Sequence, residues 1–176
     1  MRRSGRSTRP RSLADPGAVV FRPATVADAP ALRRFEAENA DWFESWVPAR
    51  PRDYLDPGVI EATLADPGDS VFHLLEQAGA VLGRANLTGL GRVPGEAFVG
   101  YRLARSATGR GLGHRALAGL VAAARARGLV RLRALCRQDN PASAEILRRG
   151  GFLADGVTEV TFRGRSIPAD RLVRAL

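Results

Sequence analysis

The sequence predicts a single α/β domain, and three observations carry that prediction. The chain has 176 residues, 45% hydrophobic and 26% charged, which suits one domain with its own core. Within it, an apolar run (Phe98, Val99, Tyr101, Leu103) leads into glycines at 109, 111 and 113 and then into Leu117, Leu120, Val121 and Ala124. Those last four fall at i, i+3, i+4 and i+7, so the stretch reads as strand, glycine loop and helix with one apolar stripe. Finally, Arg131 to Arg137 alternates with period two, and Asn140-Pro141-Ala142-Ser143 opens a helix that Gly150-Gly151 closes.

The remaining elements follow in order. Residues 1–17 hold little apolar material and are expected to be a disordered basic tail, leaving 18–176 as the domain. Val19-Val20-Phe21 begins the ordered chain as a strand. Thr25 is placed as an N-cap with Asp28 three residues on, ahead of a helix with Ala29, Leu32 and Phe35 inward. Trp42 and Trp46 share a face if their segment is helical, either as core plugs or as an aromatic lining for the entrance to a binding site. A second helix is expected after Asp56, with Pro57 at its first position and Ile60 and Leu64 inward. Ser70 to Glu76 and Ala80 to Leu87 read as strands, with His73 half-buried in the first. Glu96 to Leu103 is the central strand, and Gly128 stops the long helix. Leu132, Ala134 and Cys136 share one face, which makes Cys136 a core residue rather than a nucleophile. The C-terminus reads as a hairpin of Val157 to Arg163 and Arg171 to Ala175 around Gly164 and Pro168.

Composition narrows the function. No apolar run reaches the ~18 residues of a membrane span, so a cytoplasmic protein without a membrane partner is expected. One cysteine and two distant histidines offer no metal site, and no metal cofactor is expected. The net charge is +9, all of its basic residues being arginine. Arg2, Arg3, Arg6, Arg9 and Arg11 against Asp15 give the tail +4 of that total. No nucleic-acid partner is expected beyond a weak contact by that tail.

The glycine loop fits an anion. Glycine permits close backbone approach and positive φ, and the first amides of the following helix lack partners at the positive end of its dipole. Arg110, within the loop, could add a charged contact. Two common phosphate loops fail here. A P-loop requires Gly-Lys-Ser/Thr, but His114 and Arg115 follow Gly113. A dinucleotide fingerprint requires a third glycine where His114 stands and an acid near Arg131 and Arg133.

A third pattern fits. Thr108 to Gly113 resembles the acetyl-CoA pyrophosphate loop of the GNAT superfamily of N-acetyltransferases, Q/R-x-x-G-x-G/A, with Thr108 replacing the usual first residue. Asn140-Pro141-Ala142-Ser143 followed by Gly150-Gly151-Phe152 is similar to the N-x-x-S…GF signature of its ribosomal-protein alanine acetyltransferase branch. Asn39 with Trp46-Val47-Pro48 and Arg50 resembles the N…W-x-P-x-R segment of the S5 alanine type, as Phe162-Arg163-Gly164 to Asp170 does its closing hairpin. Arg171 and Gly113 depart from that type.

The resemblance implies a mixed, mostly antiparallel sheet of about six to seven strands with helices on both faces. Two strands, those ending near Leu103 and Arg137, splay apart to admit pantetheine. It implies acetyl-CoA as cosubstrate. Leu103 and Arg105 would flank the pantetheine, and Arg110, Gly111, Leu112, Gly113 and His114 would hold the pyrophosphate. Asn140 and Ser143 would lie near the thiol end. A neutral amine attacks the acetyl group and the CoA thiolate leaves. Glu96 is the candidate base, its other readings being a surface carboxylate or an anchor for the acceptor ammonium. Ser143 is the candidate hydroxyl for the thiolate, Tyr101 reads as packing, and a backbone N–H near Leu103 would meet the oxyanion.

The expected acceptor is a primary amine, foremost the N-terminal α-amine of a protein, in a monomer or homodimer. One alternative is a small amine such as an aminoglycoside, a polyamine or an amino-acid derivative, for which Glu36, Glu38, Asp41 and Glu44 offer acidic surface. Another is a non-enzymatic RNA or ribosome binder.

Overall fold

The computed structural model describes residues 17–176; residues 1–16, and with them nearly all of the expected tail, lie outside the described residues. Seven strands form one sheet: β1 (Val20–Pro23), β2 (Val71–Gln77), β3 (Ala80–Thr88), β4 (Glu96–Leu103), β5 (Arg131–Arg137), β6 (Leu153–Phe162) and β7 (Arg165–Ala175). Their spatial order is β1-β2-β3-β4-β5-β7-β6. Every pairing is antiparallel except β4 with β5. This is the mixed, mostly antiparallel sheet expected.

The helices are α1 (Ala29–Glu38), α2 (Ala40–Glu44), α3 (Val59–Ala65), α4 (Leu112–Ala126) and α5 (Pro141–Arg149). Neighbouring residues of β4 show that both faces are covered. Arg102 reaches Glu36 of α1, whereas Tyr101 reaches Ser143 of α5. Successive strand residues point to opposite sides, so α1 lies on one face and α5, packed on α4, on the other. The core joins Leu32 and Phe35 of α1 to Leu74, Leu75, Leu87 and Leu132 of the strands and Leu117 and Leu120 of α4.

Local chemistry explains most boundaries. Thr25 and Asp28 make the expected reciprocal cap, closing a short 3-10 turn before α1. Ala78 and Gly79, both at positive φ, make the tight β2–β3 turn. Three expectations change. Helix α3 begins at Val59, because Gly58 takes φ +88° as its N-cap and leaves Pro57 outside. Trp46 lies beyond the short α2, yet its ring still meets Trp42 edge-on at 5.7 Å. Pro168 sits inside β7, opposite Glu159. It is tolerated there because registered pairing with β5 starts only at Ala169 and the one bond beyond it, from the Gln138 amide to Pro168 O at 3.3 Å, uses the proline carbonyl and not the missing N–H.

Strand β1 and helix α4 approach through Gly119. A Cβ there would lie 2.6 Å from the Phe21 ring, which is stacked on His73 at 4.8 Å and cannot swing aside. Gly119→Ala is therefore expected to cost about 2 kcal/mol by overpacking. A thermal melt should show a drop of about 6 °C for a domain of this size.

Candidate active site

The pairing of β4 with β5 stops early. Registered pairs run only from Glu96↔Arg131 to Phe98↔Arg133, although β4 continues to Leu103 and β5 to Arg137. Between Val99–Leu103 and Ala134–Arg137 the sheet is split. The Ala104 amide donates to Leu82 O at 2.9 Å, on the β3 side. Since backbone groups alternate along an antiparallel strand, the main-chain groups of Leu103 and Tyr101 point the other way, into the split. An extended chain carrying amides can pair there as a partial extra strand.

Past Leu103 the backbone is pinned from α1 and α2. Trp42 Nε1 donates to Leu103 O at 3.2 Å, and the Arg105 amide donates to Asn39 Oδ1 at 3.0 Å. With Ala104 and Arg105 both engaged, Leu103 keeps the amide that faces the gap. Trp42 and Asn39 thus orient the end of β4, a part that the sequence reading of Trp42 as core plug or entrance lining did not include.

The chain then turns through residues 105–107 into the glycine loop. Gly109 and Gly111 take φ of +74° and +72°. Nothing lies within 4 Å of the Cβ position at Gly111, so the left-handed backbone, not crowding, demands glycine there. Gly113 differs: its Cβ would meet Ile146 Cδ1 at 2.5 Å, so it serves α4–α5 packing. Among the described residues, none accepts a hydrogen bond from the amides of 109–114. Six free donors at the N-terminus of a 15-residue helix form a cradle suited to a diphosphate. Leu112 is buried and His114 half-buried on the first turn. Arg110 instead points to the β2–β3 turn, donating to Gln77 Oε1 at 2.7 Å.

At the other end of the split, Asn140 Oδ1 accepts from the Ser143 amide at 3.1 Å, the N-cap expected for α5. The Ser143 hydroxyl meets the Tyr101 hydroxyl at 3.1 Å across the gap. Burial pushes the Tyr101 phenol up to about 12, so it keeps its proton. Tyr101 is thus more than the packing residue its sequence context suggested. The Cys136 thiol is buried beside them and raised by burial, a core residue as expected.

Glu96 is not with this group. It lies at the paired end of β4, seven residues from Leu103, or about 20 Å of extended strand. Its two oxygens accept from Arg131 Nη1 and Arg133 Nε, each at 2.6 Å. Those hydrogen bonds hold its carboxyl below the usual 4.5. A pairing that lowers the folded-state pKa stabilises above about pH 4.5 and is lost as pH falls through the folded value. Glu96→Gln is therefore expected to lower the melting temperature at pH 7, with the deficit vanishing in acid. The pH dependence of turnover should stay as in the parent enzyme.

The face of β4 opposite Tyr101 holds a cluster that sequence reading missed. Buried Glu36 is approached by Arg50 at 3.0 Å and by Arg84 and Arg102 at 3.2 Å each. Arg84 and Arg102 are cross-strand partners on β3 and β4. Of the acids expected to offer surface to a cationic acceptor, Glu36 is thus already paired with arginines. Arg50, within the W-x-P-x-R segment, was the one available signal. The rim nearby is closed by Arg137, which lies 3.7 Å over the Phe162 ring and donates to Trp46 O at 3.2 Å.

A sheet parted beside a helix-borne cradle of free amides is the build of an acetyl-CoA-dependent N-acetyltransferase. A family model described as an acetyltransferase (GNAT) domain matches residues 18–153, and the chain belongs to that family. No curated protein matches the sequence. Among solved structures, the ribosomal-protein-S5-alanine acetyltransferase of Vibrio fischeri is similar with a TM-score of 0.81 and 19% identity, over 88% of this chain and 91% of that one. Mycobacterium smegmatis RimJ, in complex with a CoA disulfide, gives 0.79 and 24% over 91% and 83%. A spermidine N-acetyltransferase chimera from Vibrio cholerae and hSSAT gives 0.75 and 15% over 89% and 95%. At these identities the likeness is one of fold. No helix among the described residues is long and apolar enough to cross a membrane.

Proposed function

We propose that the chain moves an acetyl group from acetyl-CoA to the N-terminal α-amine of a protein, in the manner of the ribosomal-protein alanine acetyltransferases. The observation that carries the cofactor part is the run of unpartnered amides at 109–114 continuous with the split beside Leu103. Acetyl-CoA supplies an activated acyl carbonyl and a thiolate leaving group. Gly111, Leu112, Gly113 and His114 grip its diphosphate through main-chain donors, and Arg110 joins them if it releases Gln77. Tyr101 and Leu103 align its pantetheine arm, Arg105 flanks it, and the Leu103 amide polarises the carbonyl oxygen. Asn140 fixes the first turn of α5, and Ser143 with Tyr101 presents a proton to the departing sulfur.

Glu96 does not serve as the base in this scheme, because both its oxygens are held by arginines far along the strand. An α-amine titrates at about 7.7–8.0, so a useful fraction is already neutral near pH 7 and orientation does the rest. A small cationic acceptor is the second reading, since one structural neighbour is a spermidine N-acetyltransferase. The arginines around Glu36 argue against a polycation there.

The deciding experiment is acetyl-CoA turnover with a panel of N-terminal peptides, polyamines, aminoglycosides and amino acids, products being read by mass. Acetylated peptides with inert polyamines are expected. Acetylated spermidine with inert peptides would reverse the assignment, and acetyl-CoA binding without any product would remove it.

A further inference from the structure

The pocket on the α1 side of β4 carries a charge imbalance that the transfer chemistry leaves unused. It has a volume of about 310 Å³ and is walled by Phe43, Pro48, Tyr54 and Leu55, with Glu36, Arg50 and Arg102 at its polar side. Among the described residues, Glu36 is the only carboxylate within ion-pair distance of Arg50, Arg84 and Arg102. Three guanidinium groups on one carboxylate leave two positive charges in excess. Glu44 and Arg52, also in the lining, add no net charge. Tyr54 does not discharge the excess: its hydroxyl only accepts from Arg84 Nη1 at 2.7 Å, and its ring lies under Arg50 at 4.5 Å.

Donors are left over as well. Arg84 Nε and Arg50 Nε are buried without a hydrogen-bond partner. Buried unmet donors are costly, more so on a charged group. Burial, and after it repulsion from Arg50, push Arg102 down to about 10, the opposite of what a satisfied ion pair does. The pocket is next to the reacting end of the split, since Arg102 immediately precedes Leu103. It opens on the face from which α1 and α2 border the end of β4.

We propose that this pocket receives a carboxylate of the acceptor, so that the substrate is an amine bearing an acidic side chain a few residues from its N-terminus. This rests on the reading that an α-amine meets the thioester beside Leu103. Planar guanidinium groups suit a carboxylate in two-point contact, and a second carboxylate beside Glu36 relieves the crowding of Arg50, Arg84 and Arg102. The hydrocarbon walls exclude water and strengthen that contact. A polycation would meet like charge in the same place.

The test uses the full chain and hexapeptides that begin with alanine and differ only by Glu, phosphoserine, Gln or Lys at the second or third position. CoA release should give kcat/KM at least tenfold higher for a Glu peptide than for its Gln twin, and lower still for Lys. A still larger value for phosphoserine would identify the phosphate as the preferred oxyanion and overturn the carboxylate assignment. Arg50→Gln should reduce the Glu-to-Gln ratio to about one. That variant relieves a crowded cluster in which Arg84 and Arg102 still hold Glu36, so its fold is expected to persist; Arg102→Gln is the second variant, read by the same ratio. Equal use of Glu, Gln and Lys peptides by the parent enzyme would overturn the inference while leaving the transferase reading intact. A Glu preference unchanged in both variants would overturn it too. Calorimetric titration with acetyl-CoA separates the two readings, because failure of that binding removes the proposed function and not only this pocket.

Discussion

Gly111→Glu is expected to weaken acetyl-CoA binding by about 100-fold, or ~2.7 kcal/mol at about 1.4 kcal/mol per tenfold. Two effects add. Gly111 holds φ +72° at the N-cap of α4, a conformation that costs an L-residue roughly 1 kcal/mol or more. The new carboxylate also stands among donors that face a diphosphate, where like charge repels. Nothing crowds the Cβ position, so the fold should tolerate the change. Calorimetry with acetyl-CoA reads the loss, and a thermal melt without ligand checks that the domain remains folded. Retained affinity would mean that the diphosphate is held elsewhere.

Tyr101→Phe should lower kcat by about 100-fold while the acetyl-CoA dissociation constant stays within about twofold, the low end of what a positioned proton donor contributes. The ring keeps its packing, and only the hydroxyl bonded to Ser143 is lost. With the phenol at about 12, the parent enzyme's rate should show no Tyr101 ionisation between pH 6 and 9. Ser143→Ala should cost less, since Tyr101 retains its own proton. Thiol release under saturating acetyl-CoA measures both. If the phenylalanine variant turns over normally, the thiolate is met by another group or by water.

What could be read from the chain depended on sequence distance. The cradle was legible because Thr108 to Gly113 is contiguous and because glycine at positive φ has a local cause. The caps at Thr25 and Asn140 were legible for the same reason: the Asp28 carboxylate accepts from the Thr25 amide and the Asn140 side chain from the Ser143 amide, each three residues away. Glu96 misled because its partners, Arg131 and Arg133, are 35 and 37 residues on. Only the parallel register of β4 and β5 brings them together. The Glu36 cluster was hidden likewise, its arginines coming from a loop and two strands. Local rules also failed where tertiary context decided, as when Pro168 entered a strand past the end of its neighbour.

The gap in the sheet has a mechanical consequence. Each lip is braced along its outer edge, β4 by β3 from Gly83 to Thr88 and β5 by β7 along its whole length. At the closed end, one carboxylate clasped by two guanidinium groups stops the tear from running further. The slot therefore has a set width before anything enters it. A ligand arm that fits finds its hydrogen-bonding partners already aimed, and little chain entropy remains to be lost on docking.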